Sequence, residues 1–171
     1  MSVKLTAAGA LKALKTFIQR EIANKMTFQK EGSDPPEYVH PYVGIMSLPH
    51  KNFMPVNFQV PYILIGFTNG EDNVNENAMS IRIQCAIYGG DIKFEKTANI
   101  PDETGYIELI NLMERIKNRL VQEAVINKSV VVNKPIQYGV YDEQITYPYW
   151  YGYLTFEGQI AVSDRQMVEF L

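Results

Sequence analysis

Cysteine is nearly absent from this 171-residue chain: Cys85 is the only one, which rules out an internal disulfide and any zinc site built on several thiolates. Histidine is almost as scarce. His40 and His50 stand ten residues apart in a proline-rich stretch with no cysteine nearby, so a metal role is the minor reading. Basic charge is not in excess either. The formal net charge is -3, so no field holds nucleic acid or an anionic membrane by charge alone. No apolar run approaches the ~20 residues that span a bilayer, and the first residues, with Lys4 among them, do not have the form of a signal peptide. The expectation is a single soluble domain over 1–171, made in a reducing cytoplasm.

Catalytic patterns are missing as well. The sequence contains no G-x-S-x-G, no phosphate-binding glycine loop and no G-x-G-x-x-G. Its adjacent carboxylates, Glu71-Asp72 and Asp102-Glu103, lie in polar surroundings that raise neither pKa. "EDNVNENA" is rich in oxygen ligands but does not keep the spacing of a calcium-binding EF-hand loop. Neither an enzyme nor a cofactor is expected.

What the chain does have is periodicity. Leu11, Leu14, Ile18 and Ile22 recur at helical spacing within 5–25, with Thr6 or Ser2 placed to cap the start. Val60 to Phe67 is a continuous apolar run suited to a strand buried on both faces. "MSIRIQCAIY" alternates: Met79, Ile81, Ile83, Cys85 and Ile87 take one face, with Ser80, Arg82, Gln84, Ala86 and Tyr88 on the other. A second helix is expected over 104–127, on the stripe Leu109, Leu112, Met113, Ile116, Leu120 and Ala124. Strands over 128–141 and 150–162 follow, with Pro135 marking an edge or a bulge in the first. The order α-β-β-α-β-β predicts an α+β fold: a mainly antiparallel sheet with two packed helices.

Between them, 27–57 keeps no period. Five prolines interrupt it, yet it carries Tyr38, Val39, Tyr42, Val43, Ile45, Met46, Leu48, Phe53 and Met54. A segment so long and so apolar reads as an extended arm with a short strand near 43–46. It lies either on its own domain or on a neighbour.

The densest feature is "YPYWYGY", which sets Tyr147, Tyr149, Trp150, Tyr151 and Tyr153 within seven residues. Alternation puts Leu154 and Phe156 inward with Trp150, leaving Tyr149, Tyr151 and Tyr153 on the opposite face. Tyrosine brings large contact area and a hydroxyl at low entropic cost, and is enriched in interfaces. Two readings of the second row stay open: an interface, or a core under the helices. A sugar-binding platform stands well behind both.

Three stretches carry a resemblance to a known family. "PYILIGFTNGEDNVNENAMSIRIQCAIYGGD", "GYIELINLMERIKNRLVQ" and "YPYWYGYLTFEGQI" together resemble the small tail-terminator, or tail-completion and neck, proteins of bacteriophages of Gram-positive hosts and of related prophages and phage-tail-like particles. The likeness covers most of 61–160 and leaves out the first helix and the arm. It implies a virion structural protein, with no catalytic residues, assembled in the host cytoplasm. Six copies would form a ring on the head-proximal end of the tail tube, end its polymerisation and meet the head–tail connector proteins. In contractile tails that position also anchors the last sheath ring. Partners would be other copies of the chain, the tube protein, the sheath protein and the connector, with no membrane and with DNA only passing through the lumen. Interface candidates are Tyr147, Tyr149, Trp150, Tyr151, Tyr153, Tyr38, Tyr42 and Phe53. The acidic tip with Glu71, Asp72 and Glu76 is a candidate for the lumen wall, since it has no cation to hold phosphate. Another head–tail joining or baseplate part, or a carbohydrate-binding module, would be the alternatives.

Overall fold

The computed structural model describes residues 6–73, 76–89, 92–95, 98–101, 103–141 and 147–160, with the backbone alone at 71–73, 76–77, 92–95 and 98–101. The chain is α+β. Helix α1, Ala7–Glu21, starts where the Thr6 hydroxyl accepts the Gly9 amide at 3.0 Å, and a short 3-10 turn, Ala23–Lys25, continues it. Ala10, Leu14, Phe17 and Ile18 form its buried face.

The proline-rich stretch is more structured than its composition suggests. Strands β1 (Phe28–Gln29) and β2 (Tyr38–Val39) pair with each other, and β3 (Tyr42–Ile45) joins the main sheet parallel to β4 (Tyr62–Asn73). Phe28 and Val43 enter the core, so this part lies on its own domain. Met46, in a left-handed conformation at φ 73°, ends β3.

Strand β5 (Glu76–Tyr88) returns against β4 as a long hairpin, with an irregularity between Phe67 and Asn69. Next come β6 (Ile92–Glu95) and β7 (Ala98–Pro101), a small separate hairpin, and helix α2 (Thr104–Glu123). The last strands are β8 (Val125–Ile126), β9 (Val130–Val140) and β10 (Tyr149–Ile160). The six-stranded sheet runs β3-β4-β5-β10-β9-β8, and all its pairings are antiparallel except β3 with β4.

Two expectations change here. The second helix stops at Glu123 rather than Asn127, because Ala124 takes positive φ and turns the chain into β8, and Asn127 and Lys128, also at positive φ, turn it back into β9. The six-element order also omits the short strands, which are too brief to show a period. Pro135 sits where β9 slips register against β10, and beyond Val131 the outer side of β9 has no strand partner among the described residues. It therefore marks both a bulge and an edge.

The core lies on one side of the sheet. Met79, Ile81, Ile83, Cys85 and Ile87 of β5 are all buried there, with Ile63 and Ile65 of β4 and Leu154 and Phe156 of β10. Leu14, Phe17 and Ile18 of α1, and Leu109, Leu112, Met113, Ile116 and Leu120 of α2, close over them. Both helices therefore pack on the same face.

Candidate functional site: a tyrosine-paved sheet face

The period of two that buries one side of β5 and β10 commits the other side to face away from the helices. Register assembles that face into rows. Tyr42, Tyr62, Ala86 and Tyr151 are cross-strand partners through β3, β4, β5 and β10. The next row is Gly44, Leu64, Gln84, Tyr153 and Gly139, and the one after it Gly66, Arg82, Thr155 and Gln137. Tyr88 and Tyr149 pair at one end. No helix among the described residues covers this face, so the rings are not a second core under the helices.

The rings nevertheless lie down on the sheet. A Cβ at Gly139 would stand 3.0 Å from the Tyr153 hydroxyl oxygen, and one at Gly44 would stand 2.8 Å from a Tyr42 ring carbon. Glycine in these rows gives the rings room to fold flat. Tyr149 and Tyr151 run nearly parallel, with ring centres 6.4 Å apart and ring planes 8° from parallel, while Tyr88 meets Tyr149 edge-on at 5.3 Å. Leu64 and Ala86 end up buried in this pavement.

Its polar chemistry is one-sided. The Arg82 guanidinium lies 5.4 Å from the Tyr141 ring centre and 5.5 Å from that of Tyr153, and its Nη2 donates to the Tyr141 hydroxyl. Its Nε is buried with no hydrogen-bond partner, and among the described residues no carboxylate pairs with it. At the far end, Glu31 ties the pavement to the proline-rich segment. Its Oε2 accepts from the Tyr149 hydroxyl at 3.1 Å, and its Oε1 accepts from the Gln59 and Val60 amides at 2.9 and 3.3 Å. Burial first, then the Glu31 carboxylate, pushes the Tyr149 hydroxyl up to about 12, and the same two causes raise Tyr151. Burial, with the neighbouring hydroxyls and thiol, raises Tyr62 to about 12. These hydroxyls stay protonated at neutral pH and remain able to donate. Away from the Glu31 corner, the face offers neutral hydroxyls and the Arg82 cation, with the Glu157 carboxylate one row further along β10, opposite Ser80 and forming no ion pair with Arg82.

The expected interface residues separate into groups. Tyr149, Tyr151, Tyr153 and Tyr42 share the open face. Trp150 does not, because it points to the helix side, where its Nε1 donates to the Gly89 carbonyl at 3.1 Å and its ring abuts Gly105 and Tyr106 of α2. Tyr147 stacks edge-on against Trp150 at 6.1 Å. These two rings hold the end of β10 to α2. Tyr38 and Phe53 are 61% and 79% exposed, away from the pavement rows. The side chains of Glu71, Asp72 and Glu76 lie outside the described residues, although their backbones form the outer end of the β4–β5 hairpin.

Sequence reasoning missed Arg82, Tyr62, Tyr141 and Glu31 as members of the site. Arg82 was legible as the one cation on the outward face of an alternating strand, but the contact with Tyr141 joins residues 59 apart. Other candidates dissolve into structure. His40 donates to the Met26 carbonyl, and His50 accepts from the Asn52 amide. Cys85 is buried, which drives its thiol up to about 12. Among the described residues no group of side chains has metal-ligand spacing, and no helix is long and apolar enough to cross a membrane. No protein-family model and no curated protein sequence matches the chain.

Proposed function

We propose that this chain is a structural subunit of a phage tail or phage-tail-like particle, forming a ring that caps the head-proximal end of the tail tube, ends its growth and meets the neck. The single observation that supports this most is the tyrosine pavement on the face away from both helices. A closed ring needs two unlike surfaces on every subunit, since head-to-tail contacts close only if each copy presents both. The pavement is one such surface, and the projecting β4–β5 hairpin is another. The resemblance in "PYILIGFTNGEDNVNENAMSIRIQCAIYGGD" and "YPYWYGYLTFEGQI" supports the same reading, because those stretches supply the strands that carry the pavement.

The test is to delete the gene from a particle-producing strain and image the products. Tails of uncontrolled length that fail to join heads are expected, and a tag on this chain should mark the head-proximal end of normal tails. Tails of normal length in the deletion, or a tag at the baseplate, would overturn the reading. Glycan binding by a monomer would replace it with the carbohydrate-module alternative.

A further inference from the structure

Among the described residues, the cation in the pavement lacks its anion. A guanidinium whose Nε is buried without a partner, and with which no described carboxylate forms an ion pair, not even Glu157 in the next row, is costly unless another molecule completes it. The geometry points to a carboxylate docking on Arg82 between Tyr141 and Tyr153, and we propose that its source is the acidic β4–β5 hairpin tip of a second copy of this chain.

Charge complementarity selects that occupant. From Pro61 to Ser80 the chain has Glu71, Asp72 and Glu76 but no Lys or Arg, so the tip is uniformly negative. Its backbone also projects. Strand β3 accompanies β4 only to Ile65, and β10 accompanies β5 only as far as Ala78. Beyond those points Asp72–Asn77 and Asn73–Glu76 pair with each other and with no third strand among the described residues. Among the described residues such a projection has two edges that no strand covers. Aimed at a neighbour's pavement, it would bring carboxylates to the Arg82 fork and to the protonated hydroxyls around it, where charge-assisted bonds are strong. The contact joins unlike surfaces and leaves each copy with a free tip and a free face, so it propagates around a ring. This inference rests on the ring reading and places the tip between subunits rather than on the lumen wall.

The experiment uses the full chain in two variants, Arg82→Glu and the triple change Glu71→Lys, Asp72→Lys, Glu76→Lys, studied by sedimentation velocity. The wild type should form a closed oligomer that loosens as salt rises. Each variant alone should self-associate at least ~30-fold more weakly, the loss expected when one partner of a desolvated charge pair is removed. Mixed one to one, the two variants should assemble again. The lysine tips of one variant then meet the glutamate-bearing faces of the other, while native tips meet native faces, an alternation that only a tip-to-face contact produces. A monomeric wild type, normal assembly of the triple variant, or failure to assemble of a mixture in which both variants are folded by circular dichroism would each overturn the proposal. The triple variant changes only the outer tip of the hairpin, so it reads assembly even if Arg82→Glu perturbs folding. If tagged rings sit at the tail end yet the mixture stays apart, the docking fails and the ring reading stands. If the mixture assembles but the chain is absent from tails, the reverse holds.

Discussion

Replacing Gly105 by alanine sets two physical effects against each other, and the structure decides which wins. Gly105 is the second residue of α2, where helix propensity alone would favour alanine by up to ~1 kcal/mol. A Cβ there would stand 2.5 Å from Trp150 Nε1, 2.6 Å from Trp150 Cδ1 and 2.9 Å from the Gly89 carbonyl oxygen. None of these atoms is the loose end of a flexible chain. The indole is held by its bond to Gly89 and by the Tyr106 and Tyr147 rings, and Gly89 is itself in close backbone contact, with its own Cβ position 2.8 Å from the Gly105 Cα. Relief requires α2 to lift or the indole to leave its hydrogen bond, and overpacking of this kind costs about 1–3 kcal/mol. The net loss should be about 1–2 kcal/mol, or roughly 2–8 °C in Tm for a chain of this size. Thermal unfolding measured by calorimetry and circular dichroism provides the assay. Gly66→Ala is the control, because the nearest atom to its Cβ position is the Arg82 carbonyl oxygen at an ordinary 3.6 Å, and that variant should be neutral or slightly stabilised. If Gly105→Ala were as stable as the wild type or more so, the Gly89–Gly105–Trp150 junction would not be the close contact described.

Glu31→Ala removes the acceptor of two amides and of the Tyr149 hydroxyl, and should cost about 2–4 kcal/mol against ~1 kcal/mol for Tyr149→Phe; equal losses in chemical denaturation would show that the carboxylate does not tether the loop. The Cys85 thiol, buried and raised to about 12, should resist a thiol reagent in the native protein and react fully once the chain is unfolded. Fast native labelling would contradict its place in the core. Hydrogen bonds from Lys25 and then Arg20, with the charge of Arg119 nearby, hold Glu21 down to about 2. Since the folded value lies below the ordinary carboxylate value, this group stabilises the fold above about pH 4.5 and loses that contribution as pH falls toward 2. Glu21→Gln should flatten stability over that interval, and an unchanged pH profile would refute the assignment.

Local period was enough to determine much of this protein. The stripes Leu14–Ile18 and Leu109–Leu120 and the alternation from Met79 to Ile87 each name their buried residues correctly, because helices and strands repeat within the reach of neighbouring residues. The same alternation told that Tyr149, Tyr151 and Tyr153 share a face. It could not tell what lies over that face, since the placement of α1 and α2 depends on contacts between distant elements. Ala124 shows the limit within one element: it continues the stripe in sequence, yet its positive φ ends the helix so that β8 can reach β9. The parallel pairing of "YVGI" in β3 was equally hidden, because four residues carry no period and their partner lies beyond a 16-residue connection. Trp150 was readable as inward, but its seat against Gly105 exists only once β10 and α2 are brought together. Arg82 is the sharpest case. Its strand and its outward direction follow from the sequence, whereas its setting between Tyr141 and Tyr153, with Nε left unpaired, arises from residues 59 and 71 positions away that only the sheet register assembles.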